Sequence, residues 1–145
     1  MSIWRSLRTV EELNGNREGT LIANLGILFT EIGEDFVRAT MPVDARTVQP
    51  YGLLHGGASV ALAETLGSMG AAMCVDADDY QVVGQEINAN HVRAARSGLV
   101  TGTARPVHIG GRTHVWSIEI VNDAQKLVCI SRITMAVIKR GALTP

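Results

Sequence analysis

The chain has 145 residues, of which 46% are hydrophobic and 19% are charged, so a single folded domain over 1–145 is expected and a disordered chain is not. Lys and Arg (13) against Asp and Glu (14) leave a formal net charge of −1, and only 4% of residues are aromatic. Without a basic excess or many aromatic side chains, nucleic acid is a poor candidate partner. No run of 18 apolar residues and no signal-peptide pattern occurs, so we expect a cytoplasmic protein without membrane association.

The first predicted elements are a short helix and two strands. Thr9-Val10-Glu11-Glu12 has the pattern of a capping box, which predicts a helix through about Asn14. Alternating or β-rich runs then predict strands over 25–32 and 36–41, and Pro42 is expected to end the second of them.

The segment 56–75 consists mostly of small and apolar residues and predicts one long helix, buried nearly all round. After it, alternating apolar residues predict strands over 82–93, 99–107, 114–121 and 127–138, with turns at Gly110-Gly111 and Asn122-Asp123. This order predicts an α+β fold whose antiparallel sheet can wrap around the long helix. The tail, 139–145, is expected to fray.

Glu64 is the strongest candidate for a catalytic residue. It is the only charged side chain between His55 and Val75, so no Lys or Arg in that segment can pair with it. A carboxylate in apolar surroundings is expected to have a raised pKa, which is typical of general bases and nucleophiles. The alternative is a glutamate that reaches solvent or pairs with an arginine of the sheet. Ser68 shares its helix face and either supports the carboxylate or only packs the helix.

The start of the long helix, His55-Gly56-Gly57, is a second candidate. Free backbone N–H groups at a helix N-terminus can stabilise a developing oxyanion, and glycine lets a ligand approach them. His55 can orient a carbonyl or only cap the helix. Gln49 can donate its amide N–H to the same oxygen or only shape the turn.

Gly56 and Glu64 are eight residues apart, which is about 12 Å along a helix. Two groups so separated on one helix cannot act on the same carbon atom. Two antiparallel copies of the helix in a symmetric dimer would bring Gly56 of one subunit to Glu64 of the other, twice over. If both groups are catalytic, the protein is therefore at least a homodimer.

The remaining polar positions are less specific. The run 85–93 is polar for a core strand, and the turn from His108 to Thr113 combines glycines with Arg112, which suits a pyrophosphate or a pantetheine amide. A solvated hairpin would have the same pattern. The four histidines lack metal-ligand spacing, so no metal is predicted. Cys74 and Cys129 lie in apolar runs and are predicted to be core residues.

Together these segments resemble the hotdog-fold acyl-CoA thioesterases of the aryl-CoA type. The resemblance is carried by QPYGLLHGGAS at 49–59, AE at 63–64, GS at 67–68, MPVD at 41–44, VVG at 82–84, EINANHVR at 86–93 and VW at 115–116. It covers nearly the whole chain, with departures at Gln85 and Gly111. It implies a curved antiparallel sheet around a long helix. It also implies hydrolysis of an acyl-CoA thioester without a separate cofactor, since coenzyme A is part of the substrate.

The resemblance also implies roles for individual residues. Glu64 would be the nucleophile or general base, and the backbone N–H of Gly56 would hold the oxyanion. Gln49 and His55 would polarise the same carbonyl, and Ser68 would position the water or the carboxylate. Substrate contacts would fall on Gly84, His91, Val92, Arg93, Ala94, His108, Ile109, Gly110, Gly111, Arg112 and Thr113. Homotetramers built as dimers of dimers are usual for this type.

Several points stay open at the level of sequence. An aromatic acyl group is implied by the resemblance alone, and an acyl-carrier-protein thioester is an alternative substrate. A hydratase or dehydratase of the same fold is a second hypothesis, but those enzymes need a wider spacing than the nine residues between His55 and Glu64. A non-catalytic acyl-CoA-binding protein is a third, and it gives no reason to bury a lone carboxylate.

Overall fold

One antiparallel sheet and one long helix make up most of the structure, a computed structural model that describes residues 1–142. The helices are α1 (Val10–Asn14), α2 (Leu21–Asn24) and α3 (Gly56–Met73). The strands are β1 (Leu28–Ile32), β2 (Val37–Pro42), β3 (Tyr80–His91), β4 (Leu99–Ile109), β5 (Thr113–Asn122) and β6 (Leu127–Lys139). They form one six-stranded sheet in the order β1-β2-β4-β5-β6-β3. This confirms the predicted α+β hotdog fold.

The predicted local signals at the first helix are confirmed. The hydroxyl of Thr9 accepts the backbone N–H of Glu12 at 3.2 Å, and the Glu12 carboxylate accepts the N–H of Thr9 at 2.7 Å. These two bonds form a capping box, which satisfies two N–H groups at this end of the helix.

The core lies between α3 and the inner face of the sheet. Trp116, Ile118 and Ile120 on β5 are all fully buried, as their alternation predicts. Leu62 and Leu66 contribute the facing side chains of α3 and are also fully buried. Cys74 and Cys129 are free and buried, which confirms them as core residues.

The opposite face of α3 is not covered within one chain. Ala61, Glu64, Ser68 and Ala72 are half-buried there, and Gly57 is exposed. The prediction that α3 is buried nearly all round is therefore wrong for a single chain. Beside this face, β3 forms an edge of the sheet with no strand on its outer side among residues 1–142.

Several predicted boundaries are wrong. The segment 25–32 is a strand only from Leu28, because Thr20 accepts the N–H of Ala23 at 3.3 Å and caps the unpredicted helix α2. Helix α3 ends at Met73, whose carbonyl accepts the N–H groups of Arg5 and Ser6 at 2.9 and 3.0 Å.

The prediction that the tail 139–145 frays is also wrong for the first residues of the tail. Lys139 belongs to β6 and pairs with Tyr80, and the N–H of Arg140 donates to the carbonyl of Asp79 at 2.9 Å. The rest of that prediction concerns 143–145, which lie outside the described residues. No helix in the described part of the chain is long and apolar enough to cross a membrane.

Candidate active site

His55 caps helix α3 and leaves the first helical N–H free. Its Nδ1 accepts the N–H of Gly57 at 2.7 Å, and its own N–H donates to the carbonyl of Thr47 at 2.8 Å. The N–H of Gly56 has no hydrogen-bond acceptor among residues 1–142. Since Nδ1 accepts, a neutral imidazole carries its proton on Nε2. Both Gly56 N–H and His55 Nε2–H are therefore available to a carbonyl oxygen.

Gln49 begins the loop that leads to His55, and its side chain is held in one orientation. The carboxamide oxygen accepts the N–H of Tyr51, and the Gln49 backbone N–H donates to the carbonyl of Leu53 at 2.8 Å. The NH₂ group makes no hydrogen bond within the described chain, so it is left as a donor. Gln49 thus offers a free N–H donor beside those of Gly56 and His55, which suits an oxygen that gains negative charge.

His91, at the end of β3, lies against the start of α3. A Cβ atom at position 56 would lie 2.7 Å from Nε2 of His91, so only glycine lets the ring approach this closely. The segment after His91 is held beside the same loop, because the N–H of Leu54 donates to the carbonyl of Ala95 at 2.8 Å. Val92 and Arg93 donate their N–H groups to Val128 at 2.8 and 3.3 Å.

These contacts bring one group of predicted site residues together. We call this group the donor half-site, and it consists of Gln49, His55, Gly56 and the segment 91–94.

Glu64 lies against an earlier part of β3, at Gly84. A Cβ atom at Gly84 would overlap Oε1 of Glu64 and would lie 3.4 Å from its Cδ, so the carboxyl group rests on bare strand backbone. The carboxylate has no ion pair and no hydrogen bond to any residue of 1–142. Burial raises the pKa of the Glu64 carboxyl above its usual range. The alternative of a glutamate paired with an arginine of the sheet is therefore wrong for this chain.

Ser68 lies one turn further along α3, near the same point of the sheet. Its hydroxyl contacts Sδ of Met135 at 3.9 Å, and Met135 pairs with Gly84 across β3 and β6. We call Glu64, Ser68 and Gly84 the acid half-site.

A bulge interrupts the pairing of β3 between Gly84 and Glu86, with Gln85 as the extra residue. Bulges are frequent beside active sites because they redirect a strand locally.

The turn from His108 to Thr113 connects β4 to β5 at this same end of the molecule. The N–H of Gly110 donates to the carbonyl of Thr113 at 3.0 Å, and the carbonyl of Arg112 accepts the N–H of Val137 at 2.9 Å. The remaining residues of this predicted substrate turn are Ile109 and Gly111, which with Cys74 line a cavity at the end of α3.

One chain does not bring the two half-sites together. Gly56 and Glu64 lie on the same helix, eight residues apart, as the sequence indicated. Sequence reasoning missed the contacts of His91 with Gly56 and of Glu64 with Gly84, because both depend on how β3 crosses α3. No group of three or more His, Cys, Asp or Glu residues suited to a metal ion occurs among the described residues.

Comparison with known proteins gives consistent matches. The model of the Thioesterase superfamily matches residues 51–129. The 1,4-dihydroxy-2-naphthoyl-CoA hydrolase of Escherichia coli (strain K12) is 52% identical over 136 residues, which are 94% of this chain and 99% of that protein. The proofreading thioesterase EntH of Cronobacter sakazakii is 48% identical over 136 residues, 94% of this chain and 98% of its own.

Solved structures agree in fold over nearly the full length. A thioesterase from Haemophilus influenzae has a TM-score of 0.94 and 45% identity, and the match covers 99% of both chains. A mutant thioesterase from Pseudomonas aeruginosa has a TM-score of 0.93 and 50% identity, covering 95% of this chain and 99% of that one.

Proposed function

The chain belongs to the thioesterase superfamily, and on this premise we propose that it hydrolyses acyl-CoA thioesters, with an aromatic acyl group preferred. The family match confirms the resemblance drawn from the motif, and with it the class of enzyme, a thioester hydrolase. The preference for an aromatic acyl group is supported by the named substrate of the Escherichia coli relative. The observation that carries the proposal is the pair of half-sites, one with unpaired donors and one with an unpaired carboxylate.

A two-fold axis joins the half-sites if two chains pair through their β3 edges. Gly56 lies beside His91, and Glu64 lies beside Gly84. Helix α3 and strand β3 therefore each contribute one residue to the donor half-site and one to the acid half-site. An axis near Val60 would therefore bring Gly84 opposite the partner subunit's His91 and Glu64 opposite the partner subunit's Gly56. Antiparallel pairing of the two β3 edges would satisfy their unpaired backbone N–H and C=O groups, and the two-fold axis would produce two identical sites. A homodimer is thus the smallest unit with a complete site, and the resemblance favours dimers of dimers.

The chemistry follows from the charges of the two half-sites. The thioester carbonyl oxygen would accept the N–H of Gly56, supported by His55 and Gln49, at the positive end of the α3 dipole. Glu64 of the other subunit, with no cation to neutralise it, would attack the carbonyl carbon or remove a proton from an attacking water. Both routes pass through a tetrahedral oxyanion that expels the CoA thiolate, which then takes up a proton. Attack by water gives the free acid at once, whereas attack by Glu64 leaves a mixed anhydride that a water molecule must then hydrolyse to the free acid and the Glu64 carboxylate. Ser68 would hold the water or the carboxylate.

Release of free thiol from a panel of acyl-CoA thioesters tests this function. Acetyl-, benzoyl-, 2-naphthoyl- and palmitoyl-CoA are compared with the corresponding benzoyl carrier-protein thioester, and we expect the largest kcat/KM with an aryl-CoA. An enoyl-CoA is included as the control for a hydratase, with its absorbance followed in parallel. Loss of enoyl absorbance without thiol release, or saturable acyl-CoA binding without turnover, would contradict the proposal.

A further inference from the structure

His114 is a fully buried imidazole that the proposed chemistry does not use. It lies near the start of β5, on the inner face that also carries Trp116 and Ile118, and its relative exposure is 1%. Burying a polar ring costs free energy unless hydrogen bonds compensate for it. The partners of the two ring nitrogens therefore indicate what this residue does.

One ring nitrogen of His114 holds the turn from His108 to Thr113. An N–H of the imidazole donates to the backbone carbonyl of Gly110. Nδ1 has no hydrogen-bond partner among residues 1–142, so the donor is Nε2, and a neutral ring with its proton on Nε2 satisfies this arrangement. A Cβ atom at Gly111 would meet nothing within 4 Å, so the tip of the turn has no packing of its own. The imidazole is therefore an anchor for a turn that is otherwise loosely held.

The same ring belongs to a row of residues that ends at the acid half-site. His114 pairs with Met135 across β5 and β6, and Met135 pairs with Gly84 across β6 and β3. Met135 is also buried, and its sulfur contacts the hydroxyl of Ser68 at 3.9 Å. Neighbouring strands lie about 4.8 Å apart, so His114 is about 10 Å from Gly84 along this row. The row therefore connects the predicted substrate turn with the residues around Glu64.

We propose that His114 is a positioning residue, which keeps the turn 108–113 in place beside the acid half-site so that the turn can contact the thioester substrate. The inference rests on the proposed function and adds a residue that touches no substrate atom itself. Because His114 acts through the turn and not through Glu64 or Gly56, loss of its ring should raise KM and leave kcat nearly unchanged.

Only the neutral ring is suited to this role. Burial lowers the pKa of His114 below its usual range; the hydrogen bond to Gly110 opposes this shift, and His108 adds to it. Since the cost of burial is the larger effect, a protonated ring is favoured to move toward solvent, which releases the turn. KM should therefore rise as the pH falls through this lowered pKa. Strand β6 contributes only uncharged Met135 and Val137. The titratable or charged side chains that face the ring are Arg5, Cys74, Asp76 and Tyr80, across a cavity of about 280 Å³, and His108 beside the turn.

His114→Leu and His114→Gln separate positioning from packing. Leucine fills the site but donates nothing to Gly110, so KM for the preferred acyl-CoA should rise about three- to tenfold, the range that one hydrogen bond contributes. Glutamine is neutral at every pH and can donate, so it should restore KM at neutral pH and remove the rise of KM at acid pH. Ile120→Val, on the same buried face of β5 but away from the turn, is the matched control and should lower the melting temperature without changing KM. Equal changes of KM in His114→Leu and Ile120→Val, or an acid limb unchanged in His114→Gln, would overturn the proposal.

Hydrogen exchange at the backbone amide of Gly110 tests the inference without any turnover. This N–H donates to the carbonyl of Thr113 at 3.0 Å inside the turn. Its exchange should be about tenfold faster in His114→Leu, because the turn opens more often, and should be as slow as in wild type in His114→Gln. Faster exchange supports the role of His114 even if no thioester is hydrolysed, so this inference and the proposed function fail separately. Unchanged exchange in folded His114→Leu contradicts the inference; if that variant does not fold, the acid limb of His114→Gln decides.

Discussion

Replacing Glu64 by glutamine is expected to lower kcat for thioester hydrolysis by at least 100-fold and to leave the folded protein and its proposed dimer intact. The carboxamide has nearly the same shape but is neither a nucleophile nor a base. General base catalysis contributes about 10²–10⁴ in rate, and 100-fold corresponds to about 2.7 kcal/mol of transition-state stabilisation. Steady-state thiol release gives kcat, and light scattering gives the mass of the assembly.

Stability should not fall in the same variant. Burial raises the pKa of Glu64 in the folded state, so its contribution to stability is complete below the unfolded-state pKa and is lost as the pH rises through the folded-state value. At neutral pH the ionised carboxylate therefore disfavours folding, and glutamine removes that cost. Glu18→Gln, at an exposed position, is the matched control and should behave as wild type in both measurements. Near-normal turnover in folded Glu64→Gln would remove the catalytic assignment.

Replacing Gly84 by alanine is expected to lower kcat at least tenfold without unfolding the protein. The new methyl group would occupy the space of Oε1 of Glu64, which is the far end of a flexible side chain and can move away. The fold therefore tolerates the change, while the carboxylate leaves its position at the strand. Gly15→Ala is the control, because a Cβ atom there meets only ordinary contacts at 3.5 and 3.6 Å.

The pH dependence distinguishes displacement of Glu64 from a lost substrate contact. The rate should rise with pH as Glu64 ionises, through a pKa raised by burial. A carboxylate pushed toward solvent has a lower pKa, so the acidic limb should move to lower pH in Gly84→Ala. In a protein that already carries Glu64→Gln, the additional Gly84→Ala substitution should not lower kcat further. A higher KM with an unchanged kcat and pH profile would indicate instead that Gly84 only contacts substrate.

The fold was predictable because its signals are local and repeated. Alternation along β5 identifies Trp116, Ile118 and Ile120 as one buried face, and the small residues of 56–75 identify a helix that packs closely on a sheet. Helix α2 was not predictable in the same way. It has only four residues, and a segment so short is stabilised by its surroundings more than by its own propensity.

The site was predictable in its chemistry but not in its geometry. An isolated carboxylate at Glu64 and a glycine at the start of α3 are visible in the sequence, and their spacing requires a second subunit if both groups are catalytic. The contacts of Gly84 and His91 are not visible, because they join residues 20 and 35 positions apart across the packing of β3 on α3. The bulge at Gln85 depends on the register between β3 and β6, which no local pattern encodes.

Co-expression of Glu64→Gln and Gly56→Pro subunits in equal amounts tests most directly whether each site takes its acid and its donor from different chains. Gly56 is the first residue of α3, where the backbone tolerates proline well, so the second variant removes the free N–H and keeps the helix. The new Cβ atom also displaces the ring of His91, which belongs to the same donor half-site. Each variant alone should be nearly inactive. With random pairing, half of the dimers contain one subunit of each variant, and one of the two sites in such a dimer is intact. About a quarter of all sites, and so about a quarter of wild-type activity, should therefore be restored. Activity no higher than that of the two parent variants would contradict a site shared across the two-fold axis.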